Sequence, residues 1–111
     1  MNDAEPPYHL FLDGEEAPVL AHALRLLISD EAHEPTIRGL AREVLVSLGA
    51  TPEPNGKLTV PLTPPQMKIT HTAARLLLDD LQREQASERE ILRRVLDKLP
   101  DEHTMRAIDL G

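Results

Sequence analysis

Apolar residues recur along the chain with two alternating periods, short stretches of period two and longer ones of period three to four, and this alternation predicts the elements. Tyr8-His9-Leu10-Phe11-Leu12 reads as a strand. Asp13-Gly14-Glu15-Glu16 then supplies a cap residue with Glu three positions later, a capping box that opens a helix. In that helix Val19, Leu20, Ala23, Leu24, Leu27 and Ile28 form one wide apolar face. Pro18 disturbs it, because in a second turn its missing donor predicts a kinked entry or a later start of the regular helix. Asp30-Glu31-Ala32-His33-Glu34-Pro35 breaks the pattern. Ile37, Leu40, Ala41, Val44, Leu45 and Leu48 predict a second helix, closed by Gly49 as its C′ residue.

Ala50-Thr51-Pro52-Glu53-Pro54-Asn55-Gly56 is a connecting loop by its prolines and its Asn-Gly pair. Beyond it Leu58, Val60 and Leu62 alternate as in a half-buried strand, and Pro61 assigns that strand to a sheet edge. Thr63-Pro64-Pro65-Gln66 is a second capping box, with prolines in the first turn where their missing donors cost little. Ile69, Ala73, Leu76, Leu77, Leu78 and Leu81 carry a long helix. After Ser87, Ile91, Leu92, Val95, Leu96 and Leu99 predict a last amphipathic helix that Pro100 stops. Residues 1–7, with Pro6-Pro7, read as a flexible arm, and Met105, Ile108 and Leu110 as a short terminal turn in a tail over 100–111.

Sliding the chain on itself by about fifty positions brings its halves into register. Leu12 falls on Leu62, Asp13 on Thr63, Glu16 on Gln66, Ala23 on Ala73, Arg25-Leu26-Leu27 on Arg75-Leu76-Leu77 and Asp30 on Asp80. One inserted residue later, Arg38 falls on Arg89, Arg42 on Arg93, Val44-Leu45 on Val95-Leu96 and Leu48 on Leu99. Leucine matches follow from amphipathicity alone, whereas the three arginine pairs, the aspartate pair and the coincident caps do not. The expected fold is therefore α+β, mainly helical: a single domain over 8–111 made of a duplicated strand-helix-helix unit, repeat one 8–49 and repeat two 57–99. A lone strand leaves its backbone groups unpaired, so the two strands are expected to form a two-stranded β-ribbon packed on four helices. Pairing with a second chain is the competing arrangement.

Composition narrows the picture. Tyr8 and Phe11 are the only aromatic residues among 111, so the core must be aliphatic. Absence of cysteine excludes disulfides and thiolate metal sites, and no basic segment followed by an apolar one opens the chain, which points to the cytoplasm. No apolar run approaches the roughly 20 residues that span a bilayer. A net charge of −7 repels phosphate backbones and anionic lipid surfaces.

The candidate chemistry is sparse. His9, His22, His33, His71 and His103 never fall at the four-residue spacing that sets two imidazoles on one helix face, so no metal site is read from them. Glu15-Glu16 favours a helix dipole, and Asp79, four residues after Arg75, is placed to pair with it. Ser29, Ser47 and Ser87 lack the neighbours of a nucleophile, and the glycines form no phosphate-cradling loop. No catalytic residue, metal ligand or cofactor site is assigned, and no enzymatic activity is expected. The repeated arginines Arg25, Arg38, Arg42, Arg75, Arg89 and Arg93 are the candidate interaction surface.

A strand followed by two helices resembles the ribbon-helix-helix family of DNA-binding regulators, here with the family's two-chain ribbon made within one chain. The resemblance implies that the exposed ribbon face, His9 and Phe11 on one strand and Lys57, Thr59 and Pro61 on the other, enters the major groove. It also implies that the second helices hold phosphate at their N-termini. Of the ribbon residues only Lys57, Thr59 and His9 suit base edges. The second helices open with His33-Glu34-Pro35-Thr36 and Ala86-Ser87-Glu88-Arg89-Glu90, so glutamates stand where phosphates would approach, and with the net charge this argues against nucleic acid. The expected function is a small intracellular protein-interaction or regulatory module, bound to a protein partner or to itself and not to a membrane. The alternatives are the DNA-binding regulator and a binder of a small apolar ligand in a helical core.

Overall fold

Local signals decide where each element begins. The computed structural model describes residues 8–49 and 56–99 of the 111. The expected N-terminal arm, most of the midpoint loop, the Pro100 stop and the terminal turn lie outside the described residues. The elements run β1 (Tyr8–Leu12), α1 (Glu16–Ser29), α2 (Pro35–Leu48), β2 (Leu58–Leu62), α3 (Pro64–Asp80), a 3₁₀ turn (Arg83–Gln85) and α4 (Ala86–Asp97). A strand and two helices thus occur twice in one order, and the architecture is mainly helical with a small sheet.

Both capping boxes form. Asp13 Oδ1 accepts the Glu16 amide at 2.9 Å while the Asp13 amide donates to Glu16 Oε1 at 3.0 Å. Fifty positions on, Thr63 Oγ1 accepts the Gln66 amide at 3.3 Å and the Thr63 amide donates to Gln66 Oε1 at 3.1 Å. Each box satisfies amides that a helix start leaves without intrahelical partners. Residues 14 and 15 form a turn, so α1 starts at Glu16 and Pro18 falls in its first turn. That is the later start anticipated from Pro18, which there forfeits no intrahelical bond. Gly49 ends α2 as expected, but as its C-cap, with φ −83°, one position before the C′ place read from the sequence. Gly56 has φ +82°, a conformation that glycine reaches without the Cβ clash.

The strands pair antiparallel within the chain, from Tyr8 opposite Leu62 to Leu12 opposite Leu58, centred on Leu10 and Val60. Leu10, Leu12, Leu58, Val60 and Leu62 point inward and are buried, while His9, Phe11 and Pro61 face out. Pro61 fits because each strand of a two-stranded sheet keeps one open edge. Helix α1 packs on α2, α3 and α4, α3 packs on α2 and α4, and β2 contacts α2 and α3.

The core is aliphatic. Leu10, Leu12, Leu20, Leu24, Leu62, Ile69, Leu92, Val44, Val60 and Val95 are all but sealed from solvent, whereas Phe11 is 61% exposed. Each sealed aliphatic side chain contributes about 1.5–3 kcal/mol relative to exposure. Thr70, the buried hydroxyl, donates to the Gln66 carbonyl at 2.8 Å.

Candidate functional site

Between α1 and α3 the surface sinks into a groove of about 340 Å³. Ala23, Leu26, Leu27 and Asp30 line it from α1 and its cap, Ala73, Leu76, Leu77 and Asp80 from α3, and His33 from the connection to α2. Apart from His33, the described lining comes in identical residues fifty positions apart. The alanines and the buried Leu27 and Leu77 make an apolar floor. Leu26 and Leu76 stand 43% and 46% exposed, the large aliphatic side chains that α1 and α3 leave in water. Asp30 and Asp80 are exposed carboxylates, and among the described residues no lysine or arginine lines the groove. Asp30 Oδ2 lies 3.6 Å from His33 Nε2, and its other oxygen accepts the Ala32 amide.

The six arginines divide by role. Arg38 Nε donates to the Ile28 carbonyl at 3.2 Å, and Arg89 donates to the Leu78 and Leu81 carbonyls at 3.2 and 3.1 Å. Each guanidinium reaches back from the second helix of its unit to carbonyls at the end of the first, where a helix leaves acceptors unpaired and its dipole favours a cation. Arg25, Arg42, Arg75 and Arg93 are exposed and make no hydrogen bond or ion pair with another described residue. The Arg75–Asp79 pair does not form, and cation before anion is the weaker order along a helix. Arg25 and Arg75 lie about 100° around their helices from Leu26 and Leu76, off the groove.

A second cluster joins the two units. Glu16, 2% exposed, receives Lys98 Nζ on Oε1 and Arg94 Nε on Oε2 at 3.4 Å, and Arg94 also pairs with Glu15 at 3.2 Å. Lys98 Nζ donates in addition to the Phe11 carbonyl at 2.8 Å, and the Tyr8 hydroxyl donates to the Lys98 carbonyl, so the end of α4 is tied to β1. At the corresponding place in the other unit, Gln66 Nε2 donates to Glu43 Oε1 at 2.9 Å. The Glu16 amide holds the Asp13 carboxyl below its ordinary value against the effect of burial, with the Glu15 amide and the charges of Arg94 and Lys98 acting in the same direction. Arg94 is held more firmly protonated by its hydrogen bond to Glu15 and by the surrounding carboxylates.

Of the histidines, His22 Nδ1 meets Glu88 Oε2 at 3.1 Å and bridges α1 to α4. Among the described residues no three His, Asp or Glu side chains converge as metal ligands would, and no helix is long and apolar enough to cross a membrane. His103 lies outside the described residues. Neither the groove nor the Glu16 cluster was anticipated from the sequence. The available signal for the groove was the Arg-Leu-Leu triplet repeated at 25–27 and 75–77, whose middle leucine amphipathicity does not demand on both helices. No protein-family model, curated protein or solved structure matches the chain.

Proposed function

We propose that the chain is a non-catalytic protein-interaction module built on a duplicated strand-helix-helix unit, and that its docking surface is the groove between α1 and α3. Duplication is supported by side-chain contacts that recur at equivalent positions: both capping boxes, Arg38 on Ile28 and Arg89 on Leu78, and Glu16 with Arg94 beside Gln66 with Glu43. The strands, numbered fifty apart, pair about Leu10 and Val60, so the local twofold relation passes through the middle of the ribbon. Groove residues paired fifty apart lie on either side of the same relation.

The observation that carries the docking reading is the exposure of Leu26 and Leu76 at equivalent places beside an apolar concavity. Exposed leucines scattered singly need no explanation, but two that flank one groove form a patch suited to a partner. The charged groups that converge elsewhere are engaged with one another: Glu16 with Lys98 and Arg94, His22 with Glu88. The outward ribbon residues His9, Phe11, Thr59 and Pro61 include an aromatic and a proline, which offer base edges no hydrogen-bonding side chain.

Replacing single residues by a photo-crosslinking phenylalanine in the native host tests this reading. A discrete crosslinked band is expected from position 26 and position 76 and none from the exposed positions 42 and 93. Equal labelling at all four positions, or labelling confined to 42 and 93, would refute it.

A further inference from the structure

Resting on the groove reading, we infer that the occupant is an amphipathic helix of another protein whose apolar anchors are flanked by lysine or arginine. The walls of the groove are helices, whose backbone groups are already bonded internally. An extended segment laid between them would find few partners for its own amides and carbonyls, whereas a helix brings its backbone satisfied and needs only side-chain contacts. The floor of small Ala23 and Ala73 lets aliphatic anchors spaced a helical turn apart descend between Leu26 and Leu76.

Charge selects the kind of helix. Among the described residues the groove carries Asp30 and Asp80 and no Lys or Arg, and neither α1 nor α3 has a basic residue in its last turn. Arg38 and Arg89 cover backbone carbonyls there, while no described cation pairs with Asp80 and Asp30 meets only His33. A second copy of this chain is the poorer occupant. Groove against groove would gather four aspartates into one interface between two molecules of net charge −7, and like charges brought together cost affinity. A helix with basic flanks converts the same carboxylates into rim ion pairs.

The test pans a display library of helices about five turns long, with leucines fixed on one face and each flanking position encoded as Lys or Glu, against the full chain. Binding is then measured to Leu26→Glu/Leu76→Glu, to Asp30→Asn/Asp80→Asn, and to Asp97→Asn/Glu90→Gln, which removes the same charge away from the groove. These positions are exposed, and circular dichroism checks that each variant keeps its helices. Expected are clones rich in flanking Lys that lose binding to the leucine variant and bind the Asp30/Asp80 variant at least about fivefold more weakly than the Asp97/Glu90 variant, as two rim ion pairs predict. Clones that need Leu26 and Leu76 but show no preference for Lys, or no difference between the two charge variants, would overturn the basic helix and leave the groove reading standing. Loss of the groove resonances on simple concentration of the protein would show a second copy there and overturn it likewise. If no clone depends on Leu26 and Leu76, both the inference and the groove reading fall.

Discussion

Replacing Glu16 separates the contribution of its charge from that of its shape. The carboxylate is 2% exposed, accepts the Asp13 amide as half of a capping box and receives Lys98 and Arg94. In Glu16→Gln the amide oxygen still accepts the Asp13 amide, as Gln66 does for Thr63 in the other unit. What is lost is the charge assistance from two cations whose side chains are 37% and 41% exposed and return readily to water. Discounted for that screening, the loss is about 1–2 kcal/mol. Glu16→Ala also removes the acceptor and strands a part-buried amide, which adds about 1–2 kcal/mol, for a total of about 3 kcal/mol. Urea unfolding followed by far-ultraviolet circular dichroism measures both, the chain having no tryptophan. If the alanine variant lost under about 1 kcal/mol, or the glutamine variant lost as much as alanine, the account of this cluster would be wrong.

Two other outcomes follow from named contacts. Arg38→Met and Arg89→Met each remove a guanidinium from helix-end carbonyls while keeping an apolar stem, and each is expected to cost about 1 kcal/mol in the same unfolding assay; a variant without effect would mean that water serves those carbonyls equally well. Because the Asp13 carboxyl is held below its usual value, its contribution to stability is fully present above about pH 4 and is lost as pH falls through the lowered folded value. Asp13→Asn, which keeps a capping side chain, should therefore flatten the stability profile below about pH 4, measured by thermal melting across acid pH, and an unchanged slope would count against the charged cap.

Much of the fold was legible because its cues are local. The two capping boxes, the alternation through Leu58, Val60 and Leu62, and the three-to-four spacing from Ile37 to Leu48 each depend on neighbours within a turn or two. Gly49 marks the end of α2 in the sequence and in the structure, and only its place differs, C-cap instead of C′, with its amide bonded to the Val46 carbonyl at 3.0 Å. The site was less legible. Glu15-Glu16 reads locally as a dipole pair, and only packing of α4 on α1 brings Arg94 and Lys98, some eighty residues away in sequence, onto Glu16. Likewise, spacing alone places Leu76 on the apolar face of its helix. How the helices cross decides which leucines close over the core and which stay at a rim, and hydrophobic spacing does not contain that information.

The central claim is that another protein docks in the groove between α1 and α3. Its most direct measurement is a methyl spectrum of leucine- and valine-labelled protein inside intact host cells, compared with the purified chain. Leu26, Leu76 and the adjoining Leu27 and Leu77 should broaden or shift while Val46, 77% exposed on α2, keeps its free-state signal. Perturbation of Val46 with the groove leucines unchanged would contradict the account.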